Sequence, residues 1–270
     1  AIFNALGYCI SQDQAPAMIV YPTVDIGEWT SDNRIRPFLL SSPDISGRFI
    51  EQKSQKRDLQ FPGMSIAISG ANSAASLASR PIRYLFMDEV DKYPPYLGDE
   101  GDPESLAEER TKSFHNRFIF RASTPTTTRG RVNMAYNSAD IRLKFQVPCP
   151  HCGKHQELMF RQIKWLDDLK EEYKESKGDP QKIAKVAQNV LSSAWYECVY
   201  CGGRIEDKHK QEMLRGGHWA SDEEPDYEPR KVAYHISSLY APWVTFGEVA
   251  AEFLRSKPFP EKLRNFINSW

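Results

Sequence analysis

Four of the five cysteines fall into two short pairs, Cys149-Pro150-His151-Cys152-Gly153 and Cys198-Val199-Tyr200-Cys201-Gly202-Gly203. Two residues between paired thiols let both sulfurs face one point, as a tetrahedral Zn²⁺ site requires. Glycine after the second thiol lets the backbone turn with positive φ. Two such turns make the halves of a zinc ribbon, so Cys149, Cys152, Cys198 and Cys201 are the expected ligands of a structural zinc. Four thiolates leave no open position for catalysis. Disulfides or a redox pair are the alternatives; the lack of a secretory leader argues against the first and the doubling of the motif against the second. The 45 residues from Gly153 to Glu197 exceed the usual ~15–20 between knuckles, so something is inserted. The mixed charges from Lys164 to Lys177, the break at Gly178-Asp179-Pro180, and Ile183, Val186 and Val190 at spacings of three and four predict a helical hairpin. His151 and His155 are nearby spare ligands that read better as surface residues. Cys9 reads as a small apolar residue of an opening helix.

The remaining composition excludes several classes. Hydrophobic residues are 40% and charged residues 26% of 270, which excludes a disordered or collagenous chain. A formal net charge of -1 excludes a globally basic nucleic-acid binder, though not a local basic patch. No apolar run reaches the ~18–20 residues of a membrane span. The chain opens on Ala1 inside a helical pattern (Ile2, Leu6, Cys9) and reads as an internal fragment.

Tyr84 to Met87 is a short continuous apolar run, as expected of a buried parallel strand, and it ends on Asp88 and Glu89. In an open parallel sheet, ligands bind at the carboxyl ends of strands. There Asp88 could hold Mg²⁺ and Glu89 could activate a water, the Walker B arrangement of a nucleoside triphosphatase. The plain alternative is a strand end followed by acids in an exposed turn. Two further strands are predicted at 17–22 and 117–122, the second ending in Ser123-Thr124-Pro125. Asp102-Pro103 predicts a helix N-terminus, with the helix running to about Phe114. The order helix, strand, strand, helix, strand fits a three-layer α/β sheet. No G-x-x-x-x-G-K-[ST] occurs in the sequence.

These segments resemble, in order, the large terminase subunits of tailed bacteriophages, in the lambda-type branch. The shared features are Val20-Tyr21-Pro22-Thr23, Ser69-Gly70-Ala71-Asn72-Ser73 before Ala78-Ser79-Arg80-Pro81, Met87-Asp88-Glu89, Ala122-Ser123-Thr124-Pro125, both Cys pairs, and His235 to Trp243. The resemblance implies a RecA-like, P-loop ATPase sheet with an inserted zinc ribbon and helical hairpin. It implies ATP and Mg²⁺ as cofactors, Asp88 for the metal, Glu89 as catalytic carboxylate, Ser123 and Thr124 as the motif coupling hydrolysis to movement, and Arg80 as the candidate arginine finger, with Arg83, Arg110 and Arg121 as competing arginines. Asn72 and Ser73 are candidate phosphate contacts. The implied activity is an ATP-driven motor that moves double-stranded DNA into a procapsid in the host cytoplasm, with no membrane involved. The implied partners are the terminase small subunit, the portal and further copies of the chain; the P-loop and the endonuclease domain of such proteins lie outside this sequence. The alternatives are a zinc-ribbon DNA helicase or translocase and a non-catalytic zinc-ribbon binding module.

The expected organisation is an ATPase core over 1–147, a zinc-ribbon insertion over 148–229, and a return to the core over 230–270. In the last segment, Lys231 to Tyr240 reads as a strand rejoining the ATPase sheet. Thr245 and Glu248 form a capping box ahead of a core helix, and Trp243 and Trp270 read as packing residues.

Overall fold

A computed structural model describes residues 1–223 and 225–270, which form two compact units, 1–132 and 133–270. In the first unit, five strands form one sheet: β1 (Ala17–Tyr21), β2 (Asp58–Phe61), β3 (Met64–Gly70), β4 (Tyr84–Asp88) and β5 (Phe118–Ala122). Their spatial order is β2-β3-β1-β4-β5. β3, β1, β4 and β5 run parallel, and β2 pairs antiparallel with β3 as a hairpin partner at the edge.

The continuous apolar runs of β1 and β4 follow from burial on both faces of the sheet. Ala17, Ile19 and Tyr21 with Tyr84 and Phe86 pack toward one core, which also contains Leu6 and Ile10 of helix Ile2–Gln12 and Leu39 of helix Arg36–Ser41. Met18, Val20, Leu85 and Met87 point into a second core with Leu77, Val90, Tyr93 and Ala107. A period of two sends alternate side chains to opposite faces, so helices cover both sides. The expected α/β sheet is present, and its strands fall within a residue of the predicted ends. The helix at Pro103 starts as predicted, with Asp102 accepting from the Ser105 amide at 2.9 Å, but ends at Glu109 rather than near Phe114. Beyond it the chain continues as turns closed by Thr111 and Phe114 amides.

In the second unit, β6 (Ile141–Pro148), β7 (His155–Glu157), β11 (His218–Ala220) and β12 (Val232–His235) form one sheet. β8 (Ile163–Lys164), β9 (Trp195–Glu197) and β10 (Arg204–Ile205) form a smaller one. The predicted helical hairpin is helix Asp167–Glu175 and helix Pro180–Ser193, with Asp179 capping the second by accepting from the Gln181 and Lys182 amides. It does not stand apart from the cysteine-bearing strands. Val186, Ala187 and Val190 share one core with Cys149, Cys198, Tyr196 and with Val249, Ala250 and Leu254 of helix Phe246–Ser256. Gly247 allows the two helices to close: a Cβ there would lie 2.0 Å from the Leu191 carbonyl oxygen. The capping box of Thr245 and Glu248 is formed as expected.

Two expectations fail here. The strand at Val232–His235 does not rejoin the five-stranded sheet; it pairs in parallel with β6, Val232 opposite Ile141. Asp140, just before β6, fixes that register by accepting from the Arg230 and Lys231 amides at 2.9 and 2.8 Å. Alternation reveals a strand but not which edge it meets, because the pairing partner is about ninety residues away in sequence. Trp243 is 79% exposed and packs little, whereas Trp270 lies against Phe266 as expected. No described helix is long and apolar enough to cross a membrane.

Candidate active site and metal centre

Parallel register brings the ends of four strands to one edge of the first sheet. Tyr21 is opposite Gly70, Val20 opposite Met87, and Asp88 opposite Ala122. Thr23, Asn72, Glu89 and Ser123 therefore follow at the same edge. Thr23 caps helix Val24–Thr30, accepting from the Ile26 amide at 3.3 Å. Asn72 is committed to backbone: its Oδ1 accepts from the Val24 amide at 3.2 Å. The crossing is tight, since a Cβ on Gly70 would lie 2.3 Å from the Val24 nitrogen. The Ser73 hydroxyl donates to Ser76 Oγ at 3.0 Å. In this structure both polar side chains tie loops together.

Asp88 is half-buried at the tip of β4. Burial, and then the neighbouring Glu89 charge, push its pKa above the ordinary carboxylate value, with Arg34 opposing. The next residue takes the left-handed conformation, Glu89 φ 55° and ψ 45°, which costs a non-glycine residue of order 1 kcal/mol. This bend turns the chain at once into the 3₁₀ turn Val90–Lys92, anchored by buried Val90 and by the Tyr93 hydroxyl, which donates to the Val20 carbonyl at 2.8 Å. Glu89 Oε2 is shielded from solvent and makes no hydrogen bond; Lys92 Nζ approaches it at 3.1 Å as an ion pair without hydrogen-bond geometry. The Tyr21 hydroxyl is likewise buried without a hydrogen-bond partner, and burial followed by the Asp88 charge raises its pKa.

The edge thus holds a carboxylate destabilised by burial, a second carboxylate with an unfilled oxygen on a strained backbone, and a half-buried Ser123. One carboxylate at such an edge fits Mg²⁺, which keeps several waters and takes few protein ligands alongside phosphate oxygens. Asp88→Asn removes a half-buried negative charge that disfavours the folded state above its raised pKa. The unfolded chain releases that proton at lower pH, so the folded state loses stability as pH rises through the interval. At pH 8, metal-free Asp88→Asn protein is expected to melt higher than wild type, with the gain shrinking toward pH 4. Melting curves across that range check it.

Ser123 accepts the Asp91 amide at 3.3 Å and donates to the Thr124 carbonyl at 3.1 Å. The structure therefore brings Asp88, Glu89, Ser123 and Thr124 together on adjacent strands. Arg80 lies elsewhere: its guanidinium makes a two-pronged ion pair with Asp58, at 3.0 and 3.4 Å, on β2. Three strand spacings, about 14 Å, separate β2 from β4. Arg83 pairs with Asp13, and Arg121 with Glu104 and Glu108.

In the second unit the four predicted thiols converge, with all sulfurs within 4.8 Å of one another. Cys149 Sγ is 3.9 Å from Cys201 Sγ, and Cys152 Sγ 3.9 Å from Cys198 Sγ. A tetrahedron with Zn–S bonds of ~2.3 Å has S···S edges of about 3.8 Å, so the donor set fits zinc. The first knuckle joins β6 to β7 and the second joins β9 to β10. Gly153 (φ 73°) and Gly202 (φ 66°) make the expected turns, and the His151 and Tyr200 amides each donate to a sulfur at 3.4 Å. His151 and His155 are not ligands; their Nε2 atoms lie 2.7 and 3.2 Å from the Arg204 and Gly216 carbonyls. Cys9 is buried, and burial pushes its thiol pKa up to about 11, in keeping with an inert apolar role.

Two residues escape sequence reasoning. Buried Gln156 donates to Cys198 Sγ at 3.5 Å and accepts from the Val199 amide at 3.0 Å, bracing one knuckle from the other. No spacing signals it; only the β6–β7 register turns it inward. Asp91, discussed below, is the acid two positions after Glu89, and that adjacency is the available signal.

A mostly parallel α/β domain with paired carboxylates at one strand end, joined to a unit with a four-cysteine cluster, is the class defined by these sites. The family described as phage terminase large subunit gpA, ATPase domain, matches residues 1–219, and the chain belongs to it. It is similar to the terminase large subunit of Enterobacteria phage P21, 22% identical over 97% of this chain and 42% of that protein. It is similar also to that of Escherichia phage lambda, 22% identical over 99% of this chain and 43% of that protein. The chain spans less than half the length of these curated relatives.

Proposed function

We propose that this chain is the ATP-hydrolysing motor portion of a viral DNA-packaging terminase, coupling hydrolysis to translocation of double-stranded DNA into a procapsid. The observation that carries the reading is the Asp88–Glu89 pair, at the carboxyl edge of a buried parallel strand beside Ser123, in a chain of this family. On this reading the sheet is RecA-like, completed by a P-loop, and the cysteine cluster is a zinc ribbon with a structural ion. Mg²⁺, when bound, supplies charge neutralisation for the β- and γ-phosphates. Asp88 holds the metal. Glu89 orients the attacking water and accepts its proton. Ser123 and Thr124 pass the state of the site to the loop beyond β5. The partners are double-stranded DNA, the small subunit, the portal and neighbouring copies of the chain, in the host cytoplasm; the full-length protein also carries an endonuclease. Family membership favours this reading over a cellular zinc-ribbon helicase. Full-length protein that binds DNA yet hydrolyses no ATP would instead point to a non-catalytic binding module.

Arg80 fits an arginine-finger role from one subunit to the next, because it lies off its own Asp88. An ion pair as exposed as Arg80–Asp58 is worth at most ~1 kcal/mol, so it does not hold the guanidinium against a phosphate. Arg80→Ala is expected to lower kcat by about a hundredfold or more, while Asp58→Ala, which frees Arg80, leaves kcat within about threefold. Steady-state ATP hydrolysis by the full-length protein checks this; equal behaviour of the two variants removes Arg80 from the role.

A further inference from the structure

The acid two residues past Glu89 makes more contacts than either carboxylate before it. Asp91 Oδ2 accepts from the Thr126 amide at 2.8 Å and from the Thr126 hydroxyl at 3.0 Å. Asp91 Oδ1 accepts from the Val132 amide at 2.7 Å. That amide lies in the first turn of helix Arg131–Asn137, where backbone N–H groups have no partner within the helix. The carboxylate therefore caps the helix from a distant turn while also holding the start of the loop that leads to it. Gly130 closes the arrangement: a Cβ there would lie 2.1 Å from Asp91 Oδ2, so only glycine lets the loop come so near. The Asp91 amide in turn donates to Ser123 Oγ at 3.3 Å.

Asp91 and Glu89 sit on one rigid turn. The Lys92 amide donates to the Glu89 carbonyl at 2.9 Å, and the Tyr93 amide to the Val90 carbonyl at 3.1 Å. Val90 is buried beneath them, and the Tyr93 hydroxyl ties the turn to β1. A reorientation of Glu89 that shifts its strained backbone cannot be absorbed within so short a segment. It is passed to Asp91, and through three charge-assisted hydrogen bonds to residues 126–132. Arg131 braces the far end of that loop, bonding Asp102, Glu104 at 2.8 Å and the Pro94 carbonyl at 3.0 Å.

We infer that Asp91 is a positioning residue that locks the loop 126–132 to the turn carrying Glu89, so that a change at the nucleotide site on hydrolysis moves that loop. The inference rests on the ATPase reading above and adds to it the residue that joins the acidic turn to the segment beyond Ser123 and Thr124. Asp91 touches no reacting atom on this account. Its loss separates hydrolysis from movement rather than abolishing hydrolysis.

The test uses full-length protein in a packaging reaction with purified procapsids, measuring ATP hydrolysed and DNA length packaged together. Asp91→Asn keeps the shape but turns one acceptor into a donor facing other donors. Gly130→Ala leaves the carboxylate intact and expels it sterically, so it reports on the same lock if the first variant folds poorly. Both variants are expected to hydrolyse ATP within about threefold of wild type and to package at least about tenfold less DNA per ATP, the effect of losing one or two hydrogen bonds to a charge. Unchanged DNA per ATP in both variants overturns the inference, as does a proportional loss of both readouts. Wild-type protein without ATP hydrolysis overturns the ATPase reading itself, an outcome separable from failure of Asp91 alone.

Discussion

Replacing Glu89 by Gln in the full-length protein is expected to leave ATP affinity within a few-fold of wild type and to lower kcat by about 10²–10⁴. The substitution keeps the size of a residue held in the left-handed conformation and removes its capacity to take a proton, together with the charge that faces Lys92 and Asp88. Its Oε2 accepts no hydrogen bond in the structure, so the change breaks none; the ion pair it loses with Lys92 is exposed and worth at most ~1 kcal/mol. On the proposed reading the effect falls on kcat rather than KM, because there the carboxylate acts on the attacking water and not on the bound nucleotide. Single-turnover hydrolysis with nucleotide binding measured in parallel checks it. Turnover at the wild-type rate would remove Glu89 from catalysis.

Removing one thiol of the second unit is expected to have a comparably large effect on folding. Four Cys ligands in zinc-dependent peptides yield apparent binding energies of ~10–16 kcal/mol, which is folding energy for the segment they hold. Cys149 and Cys198 are not peripheral here; they belong to the same buried core as Val190, Tyr196, Phe246 and Ala250. Cys198→Ser is therefore expected to abolish zinc retention and to unfold much of 133–270, including helix Phe246–Ser256. Reduced wild-type protein should hold about one zinc per chain, and a strong chelator should produce the same loss. Metal analysis with circular dichroism checks both. Cys9→Ser, on the other unit, should retain the metal. A chain that keeps its helices after chelation would show that the four sulfurs pack without an ion.

Both outcomes rest on groups that the sequence foretells. The four cysteines and the acidic pair are legible because each motif is local: a two-residue spacing sets where sulfurs point, and a short apolar run ending in acids sets a strand tip. The hairpin helices, their break at Gly178-Asp179-Pro180 and the Thr245 cap are legible for the same reason. The hairpin β2–β3 goes unread although Leu59, Phe61, Met64, Ile66 and Ile68 alternate with polar or small residues about Pro62-Gly63, whereas the short helices from Val24 to Ser46 go unread because their apolar residues follow no sustained period. The destination of Val232–His235 is unread as well, and so is the fusion of hairpin, cysteine cluster and final helices into one core.

By itself the sequence determined the chemical groups and their immediate neighbours: four thiols in two turns, two carboxylates at the end of a strand, and the caps of several helices. Only the tertiary structure decided which of these groups meet. It set Ser123 against Asp91, carried Arg80 away to Asp58, turned Gln156 toward Cys198, and let Gly130 admit the Asp91 carboxylate. The reason is physical: spacing along the chain fixes direction over a few residues, whereas contacts between distant segments follow from which apolar faces pack and which sheet edges pair.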